Sequence, residues 1–159
     1  MDVLIVTGLS GAGKSSTMKA LEDIGFYCVD NIPPALISTF VDVCLQSRGR
    51  LRRLAIVTDL RGGEMFEGIV DELRKLEQSG CDYKILFLDC DDEIIIHRQK
   101  ETRRKHPLQD ICEGSIKQAV ERERQMLAPI YARADIIVNT SNLTATDLRE
   151  RIIAIFGET

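Results

Sequence analysis

Short apolar runs alternate along the chain with longer segments in which apolar positions recur every three or four residues. This rhythm predicts β-α-β units around a parallel sheet. Residues 1–7 are an apolar run ending in glycine-rich sequence and read as a buried strand. Met18, Leu21 and Ile24 recur at helical spacing across 14–24, with Gly25 as the stop. A short second strand is predicted at 26–29, and Pro33-Pro34 opens a helix to about Gln46, because the missing proline N–H costs nothing in a first turn. A third strand over 54–58 ends at Asp59. Residues 65–78 predict a helix with Phe66, Ile69, Val70, Leu73 and Leu76 inward, closed by Gly80. The fourth strand, 84–88, ends in Asp89, and Asp91 and Asp92 cap a helix to about Arg104, which His106-Pro107 ends. A helix at 115–127, a fifth strand at 135–138 and a last helix from Thr144 to about Phe156 complete the pattern. The prediction is one doubly wound α/β domain, a mainly parallel five-stranded sheet between helices on both faces.

The composition of the 159 residues, 44% hydrophobic and 29% charged, suits a globular domain and excludes a disordered one. Lys and Arg number 21 against 25 Asp and Glu, a net charge of −4, so no global positive field recruits nucleic acid or an anionic membrane. No apolar stretch approaches the ~20 residues that span a bilayer, and the first residues lack the basic start of a secretion signal. The expectation is a cytoplasmic protein without membrane attachment. Cys28, Cys44, Cys81, Cys90 and Cys112 are odd in number, widely spaced and without a C-x-x-C pair, so they read as reduced thiols, several facing the core. His97 and His106 lack ligand spacing to any cysteine, so no zinc site is expected, and His97 reads as a structural helix residue.

Between the first strand and its helix stands Gly8-Leu9-Ser10-Gly11-Ala12-Gly13-Lys14-Ser15, which fits G-x-x-x-x-G-K-[ST], the Walker A phosphate loop. A chance match in such a chain has a probability on the order of 0.5%. Polyphosphate is best held by converging backbone N–H groups, and glycine permits the close approach and positive φ this requires. The helix that follows adds its dipole and unpaired amides. Lys14 supplies a point charge for the outer phosphates, and Ser15 a hydroxyl for Mg²⁺. The motif places the fold among three-layer P-loop NTPase and kinase-like proteins.

Such a site also wants a carboxylate at the end of a neighbouring strand. Asp59 and Asp89 both qualify; Asp59 is preferred because Asp59-Leu60-Arg61-Gly62-Gly63 adds an arginine and a glycine-rich loop, while Asp89 reads as a cap or turn residue. Asp30 after the second strand is either a kinase base or metal ligand, or a turn residue beside Asn31. Arg98, Arg103 and Arg104 precede a proline-broken loop and are expected to close over outer phosphates. A second basic run, Arg48 to Arg53, reads as a solvated loop. By analogy with P-loop kinases, the base pocket is expected between the 139–142 loop and the 98–103 helix.

Several strings are more specific than the loop: Ala20-Leu21-Glu22-Asp23-Ile24-Gly25-Phe26-Tyr27-Cys28-Val29-Asp30-Asn31, Asp59-Leu60-Arg61, Leu86-Phe87-Leu88-Asp89, Thr102-Arg103-Arg104-Lys105-His106-Pro107-Leu108 and Arg133-Ala134-Asp135-Ile136-Ile137-Val138-Asn139-Thr140-Ser141. Together with the loop they resemble the RapZ/YvcJ family of bacterial nucleotide-binding proteins across essentially the whole chain. The resemblance implies binding of ATP and GTP, slow hydrolysis of both and a regulatory role. It implies an ATP site at Gly8 to Ser15 and a GTP-binding stretch at Asp59, Leu60, Arg61 and Gly62; Gly62 departs from the asparagine of the family pattern. Catalytic roles are expected for Lys14, Asp59, Arg103 and Arg104, with Mg²⁺ on Ser15 and Asp59. Family proteins carry a C-terminal domain, and some present small regulatory RNA to a ribonuclease. Residues 1–159 therefore read as the first domain of a longer protein, with RNA or a regulatory protein recruited mainly through the second domain and room for homo-oligomerisation of the whole. The alternative is a small-molecule or nucleotide kinase with Asp30 as base and residues 102–111 as a lid.

Overall fold

A computed structural model describes residues 1–47, 49–58, 68–101 and 115–157. Five strands, β1 (Asp2–Gly8), β2 (Tyr27–Asp30), β3 (Arg53–Val57), β4 (Tyr83–Asp89) and β5 (Ile136–Asn139), form one wholly parallel sheet in the order β2-β3-β1-β4-β5. The helices are α1 (Lys14–Asp23), α2 (Ile37–Leu45), α3 (Ile69–Gln78), α4 (Asp92–Glu101), α5 (Ile116–Tyr131) and α6 (Ala145–Phe156).

Strand β1 lies at the centre, with Val6 opposite both Val57 and Leu86, and Ile5 and Val6 fully buried. Burial on both faces is why β1, β3 and β4 are unbroken apolar runs rather than alternating ones. From β1 the chain moves one way across the sheet to β2, and every later connection moves the other way. Right-handed crossovers therefore put α1 on one face and α2 through α5 on the other, and α6 packs beside α1. Neighbouring strands β1 and β3 thus send their helices to opposite faces, which opens a crevice at their carboxyl ends.

Most predicted elements agree with these within a residue or two. The loop between Asp23 and Tyr27 turns on Gly25 at φ 99°, with Phe26 N–H returning to the Leu21 carbonyl at 3.0 Å, the usual glycine-based helix stop. Pro34 opens a 3-10 turn (Pro34–Leu36) before α2 rather than the helix itself.

Helix α5 runs four residues past the expected end at Leu127, through Pro129 to Tyr131. Proline there deletes one hydrogen bond in the final turn, while buried Leu127 and Ile130 and the edge-on stacking of Tyr131 against Phe87 at 5.0 Å keep the turn helical. Among the described residues of the basic run, Arg50 and Arg52 are exposed ahead of β3, as the solvated-loop reading has it, and Arg53 alone departs from it. It begins β3, its guanidinium lies 4.0 Å over the Phe26 ring, and it donates to the Ile24 and Phe156 carbonyls. A guanidinium finds cation–π and carbonyl partners here that water alone would not offer.

The four described cysteines are free thiols, with Cys44 and Cys90 buried. Burial, aided by the Glu22 charge, pushes the Cys28 thiol up to about 12, which leaves it unreactive. Among the described residues no helix is long and apolar enough to cross a membrane, and no cluster of His, Cys, Asp or Glu could hold a metal. Cys112, Arg48, the start of the 65–78 helix and the His106-Pro107 stop lie outside the described residues.

Candidate functional site

Strand β1 delivers its last residue into the crevice, and Gly8-Leu9-Ser10-Gly11-Ala12-Gly13 forms the loop that leads to α1. Two glycines are required here by geometry. At Gly8 a β-carbon would lie 2.3 Å from the Leu88 carbonyl oxygen on β4, so only glycine lets the loop leave the sheet this close to its neighbour. Gly13 has φ 107° in the left-handed region, and a β-carbon there would meet Leu148 of α6 at 2.7 Å. The loop is braced by Leu9 N–H on the Leu88 carbonyl at 3.2 Å and Ala12 N–H on the Leu9 carbonyl at 3.0 Å.

Gly13 is also the N-cap of α1, with no side-chain cap and no acidic residue in the first turn. The first intrahelical bond of the turn is Thr17 N–H to the Gly13 carbonyl. The amides before it have no intrahelical acceptor and present the positive end of the helix dipole to the crevice. Lys14 curls back over the loop, its ammonium donating to the Gly8 carbonyl at 2.7 Å and the Leu9 carbonyl at 3.1 Å. Ser15 is exposed at the start of the helix. Chemically this is a donor-rich loop with the Lys14 ammonium at its edge, suited to a multiply charged anion. The Thr7, Thr17 and Thr58 hydroxyls at the strand ends and on α1 are buried without a partner among the described residues.

Thr140 from the 139–142 loop and Glu123, which sequence reasoning did not single out, hold the loop from outside; Arg124 anchors the helix that carries Glu123. Thr140, just after β5, donates its hydroxyl to the Ala12 carbonyl at 2.8 Å. Glu123 on α5, fully buried, accepts the Ser10 N–H at 2.8 Å and the Ser10 hydroxyl at 2.7 Å. Its neighbour Arg124 ties α5 to the end of β4 through Asp89 (3.1 Å), the Cys90 carbonyl (2.5 Å) and Asp92 (2.5 Å). Burial works against the Arg124 charge, but the hydrogen bonds to Asp92 and Asp89 outweigh it and hold its pKa above the ordinary arginine value. Glu123 had one signal in the sequence: an acid on the inward face that carries Ala119, Val120, Leu127 and Ile130.

Of the expected residues, Gly8 to Ser15 come together as one loop, and Arg98 joins them by donating to the Gly11 carbonyl (2.9 Å) and the Thr140 carbonyl (2.8 Å). That contact brings Arg98 of α4 beside the loop after β5. Asp89 is engaged by Arg124 and by Cys90 N–H at 2.7 Å, a turn and ion-pair role. Asp30 is exposed at the carboxyl end of edge strand β2, where it accepts Asn31 N–H at 2.8 Å. Strand β3 separates it from β1, a lateral offset of about 10 Å for two strand spacings. Asp59, Leu60, Arg61, Gly62, Arg103, Arg104 and the 102–111 lid lie outside the described residues.

The whole chain, residues 1–159, matches the model of the RapZ-like N-terminal domain family. A nucleotide-binding protein of Acetivibrio thermocellus is 52% identical over 158 residues, covering 99% of this chain and 54% of that protein. One of Clostridium botulinum is 48% identical, covering 99% and 53%. The chain thus spans about half the length of these relatives. Among solved structures, a shikimate kinase of Bacteroides thetaiotaomicron superposes with a TM-score of 0.62 at 15% identity, over 96% of this chain and 97% of that one. A gluconokinase of Sinorhizobium meliloti gives 0.52 at 11%, over 96% and 90%. At such identities the likeness shows the fold: a P-loop, kinase-like α/β domain.

Proposed function

Because this chain belongs to the RapZ-like N-terminal domain family, we propose that it is a nucleoside-triphosphate-binding regulatory domain that hydrolyses ATP or GTP slowly. The observation that carries the reading is the uncapped first turn of α1, closed on one side by Lys14 and built on glycines at positions where a side chain would be strained or clash. Relatives at about half identity named as nucleotide-binding proteins support it. In this reading the amides of residues 13–15 hold the β- and γ-phosphates, and Lys14 leaves the Gly8 and Leu9 carbonyls to bridge them. The Ser15 hydroxyl and Asp59 would hold Mg²⁺, which supplies neutralising charge to the phosphates. Arg61, Arg98, Arg103 and Arg104 attend the outer phosphates, and Asp59 to Gly62 the GTP-binding stretch. Arg98 is spent on the Gly11 and Thr140 carbonyls, which fits slow turnover in the domain alone. As the first domain of a longer cytoplasmic protein, it would present its nucleotide state to a second domain that recruits RNA or a regulatory protein, in a chain able to form homo-oligomers.

Calorimetry with Mg-ATP and Mg-GTP tests this directly. Lys14→Ala should weaken binding by about a hundredfold, the equivalent of a strong charge-assisted interaction; an unchanged affinity overturns the assignment. The exposed Asp30 and the kinase-like fold favour a second reading, phosphoryl transfer to a small hydroxyl or phosphate acceptor with Asp30 as base. Robust ATP-dependent transfer that Asp30→Asn abolishes would replace the first reading with this one.

A further inference from the structure

The peptide unit joining Leu9 to Ser10 is held at both of its polar edges. Its carbonyl accepts from Lys14 Nζ at 3.1 Å, and its N–H donates to Glu123 Oε1 at 2.8 Å. In a trans peptide the carbonyl and the N–H point to opposite sides of one rigid plane, so an ammonium and a carboxylate grip the same plate from opposite edges. The other Glu123 oxygen accepts a hydrogen bond from the Ser10 hydroxyl at 2.7 Å, which fixes the residue as well as the plane. Glu123 is fully buried on the inward stripe of α5, between Val120 and Leu127. A carboxylate is costly there unless it is multiply bonded, and an apolar residue of similar volume would serve packing at least as well. Its position is rigid, because Arg124, the next residue, anchors α5 to Asp89, the Cys90 carbonyl and Asp92.

We propose that Glu123 is a positioning residue of the phosphate loop. It fixes the Leu9–Ser10 peptide plane, turns the Leu9 carbonyl toward Lys14 and so sets where that lysine rests, and it holds the Ser10 N–H out of the anion cradle. The inference deepens the triphosphate reading and rests on it only for its effect on affinity. Without the carboxylate the plane is held only at its carbonyl edge, by Ala12 N–H at 3.0 Å and Lys14, so it tilts more readily and the Leu9 carbonyl holds Lys14 less firmly. The consequence runs through the Leu9–Ser10 peptide and Lys14 to the ligand.

The test uses the whole 159-residue chain with Glu123→Gln, which keeps an acceptor oxygen, and with Glu123→Ala. Glu123→Met, which fills the same space with no comparable acceptor, serves if the alanine variant does not fold. Three quantities are read: Ser10 amide hydrogen exchange by NMR, the rate of reductive methylation of the Lys14 amine without nucleotide, and the Mg-ATP affinity. In the alanine or methionine variant, Ser10 exchange should speed at least tenfold and Lys14 methylation severalfold, while Ile5 and Val6 amides stay protected. Mg-ATP affinity should fall about tenfold there and remain within about threefold of wild type in Glu123→Gln. The proposal is overturned if Ser10 exchange and the Lys14 rate stay at wild-type values in those variants. It is equally overturned if all variants, glutamine included, lose protection across β1 in parallel, which is the behaviour of a packing residue. Should the wild type bind no nucleotide, the triphosphate reading fails, and exchange and methylation still decide the role of Glu123.

Discussion

Helix α6 closes its own first turn, whereas α1 leaves its first turn open. At α6 the Thr144 hydroxyl accepts the Asp147 N–H at 3.0 Å and the Asp147 carboxylate accepts the Thr144 N–H at 3.0 Å, a reciprocal capping box on an extended N-cap. At α1 the N-cap is a glycine in the left-handed region with no side chain to offer, and the turn carries no acid. Yet the two helices pack side by side on one face of the sheet. The α3, α4 and α6 first turns each carry acids that complement the dipole. Helix α2 also begins without a side-chain cap or an acid, but it continues directly from the 3-10 turn Pro34–Leu36. The α1 end differs in that it follows a glycine loop and faces the crevice, and a helix end left uncapped in a crevice is poised for an external anion.

The comparison breaks most sharply at Gly13. Gly13→Ala forces an alanine into φ 107° and drives its β-carbon to 2.7 Å from Leu148 of α6. Thermal or urea unfolding should show a loss of about 2 kcal/mol, the sum of left-handed strain and local repacking. Mg-ATP affinity should drop at least about tenfold, since the displaced turn no longer converges its amides. A Gly13→Ala protein that binds as well as wild type would mean that the open turn is not the binding feature.

The opposite result is expected at the other helix. Thr144→Ala removes the α6 cap and should cost about 1 kcal/mol, or a fall of about 2–4 °C in Tm for a domain of this size. Nucleotide affinity should stay unchanged, because the capping box bonds only within its own turn. If affinity fell in step with stability, the two helix ends would be coupled and the contrast between them would lose its meaning.

The contrast was half legible in the sequence. Thr144 as a cap, the glycine spacing of the loop and the five strands could be read because each depends on near neighbours in the chain. The Glu123 contact to Ser10 spans 113 positions and Thr140 to Ala12 spans 128; no local pattern encodes a partner so distant. Glu123 left one trace, an acid on an apolar stripe. Arg53 left none, since its partners Phe26, Ile24 and Phe156 converge only when α1 and α6 dock at the start of β3. The overrun of α5 past Pro129 shows tertiary packing overriding a helix-breaking residue.

The smallest effect is expected at α3, whose first turn is neither open nor boxed but held by a buried acid. Glu72 is 3% exposed, accepts the Ser38 hydroxyl at 3.0 Å and pairs with Lys75 at 2.7 Å. Burial alone would raise its pKa, but the hydrogen bonds from Lys75 and Ser38, with the Lys75 charge, together bring it below the ordinary glutamate value. A carboxylate whose pKa is depressed by folding contributes stability above its unfolded pKa and loses that contribution as pH falls through the folded one. Unfolding free energy should therefore be flat in this contribution near neutrality and decline on acidification across the interval between the two values. The partner Lys75 lies in solvent, so the amplitude should be below about 1 kcal/mol. Glu72→Gln should remove that part of the acid slope while leaving Mg-ATP affinity at neutral pH unchanged, measured by urea titrations at a series of pH values. An acid slope identical in the variant would show that the α3 turn, unlike those of α1 and α6, gains nothing from the charge it carries.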